Sequence, residues 1–326
     1  MAKPLKPARI RDAVRFGIGE WFGRPFHRLT PQQRSELLTH ANQRKPQIKC
    51  PFRVSCQDSD IRALPGATNC TKQGGVCSIR EYVRVNSKDQ VIVSPRGAMR
   101  TTCPNRFLEN ATIFQWIGEV ILNSASPLVV REIEFLEVAG GIEEEAREIG
   151  YIDHVLVHPS RNPLDWCALE IQAVYFSGAS MGKDFTALQN SEELLPFPFA
   201  NRHPDYRSSG PKRLMPQLQI KVPSLRRWGK KMAVVVDEDF FAALGAMDDV
   251  SDISNADIAW FVVRFDETES GFVLSRAFHR FTTLERAVEG LTGGHPVSLG
   301  RFEERLHRRL DRFYPEYSAN LNPGRS

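Results

Sequence analysis

The chain has 326 residues, 41% hydrophobic and 25% charged, enough for one large core or a core with an attached module. Lys and Arg outnumber Asp and Glu by 43 to 39, a net charge of +4, which permits a nucleic-acid partner without requiring one. No run approaches the ~20 apolar residues needed to cross a bilayer, and the basic start "MAKPLKPARIRDAVRFGIGEWFG" lacks an apolar h-region and a cleavage site. The expectation is a mature cytoplasmic protein with no membrane partner.

Residues 9 to 45 read as helical and amphipathic, with a helix start at Thr30-Pro31, where Thr caps and Pro fills the first turn. Residues 46 to 107 hold five of the six cysteines among Gly, Pro and the short strand-like "QVIVS". That is too little apolar material for an independent core, which is where a structural metal helps most. "ENATIFQWIGEVILNSA" has a helical pattern and is followed by "VREIEFLEV", a Gly140-Gly141 turn and the charged "IEEEAREIG".

Two strands follow, "YIDHVLVH" and "CALEIQAVYF", β-branched and aromatic, separated by the loop "PSRNPLD". The segment 185 to 230 is rich in Pro, Arg and Lys and reads as a surface wrap. "KKMAVVVDEDFFAAL" and "DIAWFVVRFDE" read as core strands, the first leading into a helix. "TLERAVEGL" and "GRFEERLHRRLDRFY" close the chain as helices, the last a salt-bridged exposed one. The layout is α/β and enzyme-like: an N-terminal helical segment plus cysteine module over 1–108 and a core over 109–326.

One pair of residues in that core carries chemistry. Glu170 and Gln172 stand two apart in a strand flanked by Leu169, Ile171, Ala173 and Val174, so they share one face. A carboxylate and an amide on an apolar strand are costly unless something uses them. Asp153, on the preceding strand, can reach the same edge. Two hard oxygen ligands suit Mg²⁺, which polarises a phosphoryl group and lowers the pKa of an attacking water. Gln172, one step along the face, would orient that water. An Asp followed 10 to 20 residues later by Glu-x-Lys or Glu-x-Gln on paired strands is the pattern of the PD-(D/E)xK nuclease fold.

Thiolates bind soft or borderline metals tetrahedrally, so four of the five clustered cysteines, Cys50, Cys56, Cys70, Cys77 and Cys103, would suffice for a metal site. Buried free thiols are the bland alternative. His154 and His158, four apart on one strand, share a face with Ile152 and read as structural or surface residues; Tyr175 and Phe176 read as core.

The set Cys-Pro-Phe, a Cys followed by a basic residue, Gly-Val-Cys and Cys-Pro-Asn-Arg, with Leu-Glu-Ile-Gln downstream and an Asp one strand earlier, resembles the NotI family of restriction endonucleases. The motifs keep that family's order and span residues 50 to 172. The resemblance implies a PD-(D/E)xK type II restriction endonuclease, acting as a homodimer on a GC-rich palindrome in double-stranded DNA and leaving 5′-phosphates. It implies a structural iron, with zinc as the other occupant, on Cys50, Cys70, Cys77 and Cys103, while Cys56 is a spare thiol and Cys167 packs in the core. Asp153, Glu170 and Gln172 would be catalytic, with Asp153 and Glu170 holding Mg²⁺. An additional upstream acid is expected at Glu137 or Glu143. A companion DNA methyltransferase is expected in the cell.

Phosphate contacts are expected from the basic run Arg207, Lys212, Arg213, Lys221, Arg226, Arg227, Lys230 and Lys231. Two rival readings are a DNA-binding protein that has lost its chemistry and a one-electron redox protein using the cysteine-bound metal.

Overall fold

The computed structural model describes residues 13–54, 69–86, 91–138, 147–189, 191–293 and 297–314. Its strands, in chain order, are β1 (Ala13–Trp21), β2 (Arg24–Pro25), β3 (Val76–Asn86), β4 (Val91–Thr101), β5 (Leu128–Val138), β6 (Arg147–Val157), β7 (Trp166–Ile171), β8 (Tyr175–Gly178), β9 (Arg202–Asp205), β10 (Met232–Asp237), β11 (Ile258–Thr268) and β12 (Gly271–Thr282). The chain divides into two compact units, Met1–Thr292 and Gly293–Ser326.

A six-stranded mixed sheet in the order β12-β11-β10-β7-β6-β5 forms the core of the first unit. β5, β6 and β7 pair antiparallel, whereas β7, β10 and β11 run parallel. The parallel strands are buried on both faces, and "MAVVVD" and "IAWFVV" are accordingly near-continuous apolar runs. One face is covered by residues 104–122, which bury Phe107, Phe114 and Ile117 against Leu169, Val235 and Phe261. The opposite face carries a helical stretch over 206–227 and the helix Leu284–Thr292, around Leu214, Leu218, Leu225, Val234 and Trp260. A mixed sheet with helices on both faces fits a restriction-endonuclease-like fold, as expected of the α/β core.

A separate antiparallel sheet, β2-β1-β3-β4, packs with the helix Pro31–Ala41 and the helix Gly182–Leu188 in its own apolar cluster around Trp21, Phe26 and Tyr82. Thr30 caps the first of these helices with a full capping box, its hydroxyl accepting from Gln33 N and Gln33 returning the bond. Residues 13–21, expected to be helical, are strand β1. Glycines at 17 and 19 allow close approach there: a Cβ at Gly17 would lie 2.5 Å from Pro198 Cγ, and one at Gly19 2.8 Å from Ser78 Oγ. The two sheets are tied by Arg106, fully buried. It donates to Glu20 on β1 and to Glu109, both at 2.8 Å, and to Phe272 O on β12, with its guanidinium between the rings of Phe52 and Phe265.

The second unit is described by one helix, Leu299–Phe313, capped by Ser298. No described helix is long and apolar enough to cross a membrane.

Candidate active site

Register places three carboxylates in one row. On β5 and β6, Arg131 lies opposite His154 and Ile133 opposite Ile152, which brackets Glu132 and Asp153 at the same level of the sheet. On β6 and β7, His154 lies opposite Leu169, and the same register sets Asp153 across from Glu170. Like charges facing one another across a sheet destabilise it. Glu132 adds to that cost, since it holds a left-handed φ of 55°, worth about 1–3 kcal/mol for a non-glycine residue. As placed, these three carboxylates are not grouped closely enough to hold an ion.

Asp153, Glu170 and Gln172, the three residues expected to act together, line one cleft of about 380 Å³ with Lys72, Lys212 and Arg213 on its walls. Asp153 also borders a second recess of about 260 Å³, shared with Glu132, His154 and Asn105. Asp153 is exposed, whereas Glu170 and Gln172 are only 8% and 9% accessible. Strand β7 ends at Ile171, so Gln172 sits just past it; its backbone N–H donates to Val235 O at 3.0 Å and its Nε2 to Ala173 O at 2.5 Å.

The third polar partner comes from a helix. Met215–Arg227 buries Leu218, Val222 and Leu225 at helical spacing, and Lys221 lies buried among them. Its Nζ is 2.7 Å from Glu170 Oε2. Burial pushes the Glu170 carboxyl up and the Asp153 charge adds to this, while Lys221 acts in the opposite direction. Lys221 was expected on a DNA-facing surface; the stretch 206–227 is a helix docked on the sheet and not a surface wrap. Pro211 lies in a π-helical turn at Gly210–Leu214, Pro216 in the first turn of the helix that follows and Pro223 inside it, with Asp205 capping the start of the stretch.

Much of the remaining basic run is engaged within the protein. Arg226 pairs with Asp257 and Glu285, Lys230 with Asp165, and Lys231 donates to Ser254 O and Ala256 O. Lys212 and Arg213 do face the cleft. Arg213 stacks 3.9 Å above the Tyr175 ring and donates to its hydroxyl at 3.1 Å. Tyr175, read as core, is therefore an exposed wall residue, and Phe176 is half-buried. Burial and the charge of Arg131 lower the pKa of His154 to about 4, and its ring packs 5.7 Å from Phe114. His158 accepts from Ser160 N at a turn.

Of the upstream acids expected, Glu143 and the side chain of Glu137 lie outside the described residues, as does Cys56. Glu132, which borders a recess with Asp153, carried no sequence signal beyond its place on a strand.

Cys50, Cys70, Cys77 and Cys103 are all buried near one another, and Cys167 is in the core. Burial pushes the Cys70, Cys77 and Cys103 thiols up, Cys103 to about 11, and neighbouring sulfurs raise each of them further. Such a donor set fits a thiophilic cation, whose charge would offset the burial of thiolates. As placed, no three Cys, His, Asp or Glu among the described residues are grouped closely enough to hold an ion. Lys72 links cluster and cleft: it acts electrostatically on Cys70 and Cys103, donates to Thr102 O at 2.9 Å and lines the cleft.

The family model described as "Restriction endonuclease NotI" matches residues 32–275. The chain belongs to the NotI restriction endonuclease family. The matched span contains the carboxylate row, Lys221 and all five clustered cysteines. NotI membership supports a site-specific endonuclease, a hydrolase acting on double-stranded DNA, and suggests use of a divalent metal. No curated protein sequence matches the chain.

Proposed function

We propose that this NotI-family protein is a type II restriction endonuclease that hydrolyses phosphodiesters in double-stranded DNA with Mg²⁺, at a GC-rich palindrome and as a homodimer. The observation that carries this reading is the row Glu132–Asp153–Glu170 beside a cleft walled by Lys72, Lys212 and Arg213. Asp153 and Glu170 would hold the cation, with Glu132 as the additional acid; the cation's chemistry is to polarise the phosphoryl group and acidify bound water. Gln172, whose Nε2 is occupied by Ala173 O, keeps its amide oxygen as the acceptor that orients the attacking water. Lys212 and Arg213 grip the flanking phosphates, Arg213 braced by Tyr175. The strands β5, β6, β7 and β10 with the helices on either side supply the PD-(D/E)xK core, within the span 109–326. Residues 1–108 bring Cys50, Cys70, Cys77 and Cys103, which would hold iron, or zinc, in a structural role. A cytoplasmic setting with a companion methyltransferase completes the reading.

The test is a digest of GC-rich, sequence-diverse DNA with and without Mg²⁺, followed by sequencing of the new ends. Discrete 5′-phosphate ends sharing one palindrome, only with Mg²⁺, are expected. DNA that is bound but left intact by folded protein would favour the binding-only reading. A visible colour that bleaches reversibly with reductant, without cutting, would favour a redox role.

A further inference from the structure

The third position of the catalytic strand motif is a neutral glutamine, and the positive charge closest to Glu170 reaches it from another element. Lys221 projects from the helix Met215–Arg227 through an apolar layer of Leu218, Val222 and Leu225. It is 3% accessible, and its one hydrogen bond among the described residues is to Glu170 Oε2 at 2.7 Å. An ammonium buried at that position contributes little net stability, because desolvation offsets most of the pairing energy and an apolar side chain of similar volume would pack the helix as well. Glu170 lines the cleft, as does Gln217 one turn before Lys221 on the same helix, whereas the buried Lys221 is not among its lining residues. Glu170 Oε1 makes no hydrogen bond to any described residue, so the pair fixes one carboxylate oxygen and leaves the other for the cleft.

We propose that Lys221 is a positioning residue for the cleavage centre: a helix-borne cation that locks the Glu170 carboxylate in its working orientation and balances part of the charge of the Glu132–Asp153–Glu170 row. It acts through Glu170 and not as a contact to DNA. The proposal rests on the nuclease reading above.

The test compares wild type, Lys221→Met, Lys221→Gln and Lys221→Arg in two assays. One is the single-turnover cleavage rate of saturating cognate duplex with Mg²⁺; the other is the affinity for the same duplex in EDTA. Lys221→Met keeps the aliphatic stem and should slow cleavage of bound DNA roughly 10–100-fold, the usual cost of losing a partner that orients a metal ligand. Metal-free affinity should stay within about twofold, and Lys221→Arg should recover part of the rate. Adding Lys221→Met to Glu170→Ala should cost nothing further. If Lys221→Met melts too low to assay, Lys221→Gln carries the same expectations. Wild-type cleavage rates in Lys221→Met or Lys221→Gln would overturn the inference while leaving the nuclease reading intact. An equal loss of metal-free DNA affinity would also overturn it, making Lys221 a phosphate contact. Absence of cleavage by wild type would instead sink the nuclease reading itself.

Discussion

Replacing Arg106 by Met isolates the contact that joins the two sheets. Arg106 is fully buried, and its removal leaves Glu20, 1% accessible, with only a 3.4 Å bond from Ser78. Glu109 keeps a second partner in the Leu274 N–H at 2.6 Å, so the uncompensated charge is that of Glu20. Stranding one partner of a buried pair costs about 3–5 kcal/mol. For a unit of some 292 residues, an unfolding entropy of about 0.6 kcal/mol/K turns this into a fall of roughly 5–8 °C in melting temperature at pH 7.5. Burial already raises the Glu20 carboxyl to about 6 against the opposing pull of Arg106. Without that pull it protonates more readily, so the deficit should at least halve at pH 5. Glu20→Gln combined with Arg106→Met should likewise regain half or more of the loss at pH 7.5. Thermal melts of the three proteins at both pH values measure this. A fall of less than about 2 °C at pH 7.5, or one that persists undiminished at pH 5, would refute the reasoning.

Asp153→Ala, Glu170→Ala and Glu132→Ala should each slow cleavage of saturating DNA at least ~100-fold, because on the proposed reading several kcal/mol of charge stabilisation would rest on a cation held there; timed digests read this. Asp237 accepts from Thr101 N and Phe240 N, and burial raises it to about 6 from an ordinary 3.8. Its folded-state pKa is raised, so its stabilising contribution is present at low pH and lost as pH rises through about 6. Asp237→Asn should therefore gain about 1 kcal/mol less than wild type between pH 7 and pH 5 in denaturant titrations. Gly75→Ala should destabilise by about 2 kcal/mol or more in the same titrations, since φ is +68° and the new Cβ would lie 2.2 Å from the Phe22 ring. Cys103→Ser should lose a bound transition metal by elemental analysis, whereas Cys167→Ser and Cys56→Ser should retain it.

Strand β7 was legible because its unbroken apolar context is that of a buried strand. β10 and β11 were legible for the same reason: buried parallel strands are written as continuous Val, Ile and Phe. Lys221 was not, because a Pro-interrupted basic segment resembles solvated surface until the π-turn and the docked face of the helix are seen. Glu132 escaped because its place beside Asp153 depends on register and on a left-handed φ, and neither leaves a mark in residue type. Strand β1 was mistaken for helix because its glycines mark close approach of Pro198 and Ser78, a tertiary fact. The many arginines read as DNA contacts divide only in three dimensions, into those already paired with Asp or Glu and those, such as Arg213, that face the cleft.

The most direct test of the central claim is to measure binding and cutting of one cognate duplex by wild type and Glu170→Ala side by side. Wild type should bind it and cut it at one position with Mg²⁺, while the variant should bind with similar affinity in EDTA and leave it intact when Mg²⁺ is added. Cutting by Glu170→Ala at the wild-type position and rate would mean that the carboxylate row is not the cleavage centre.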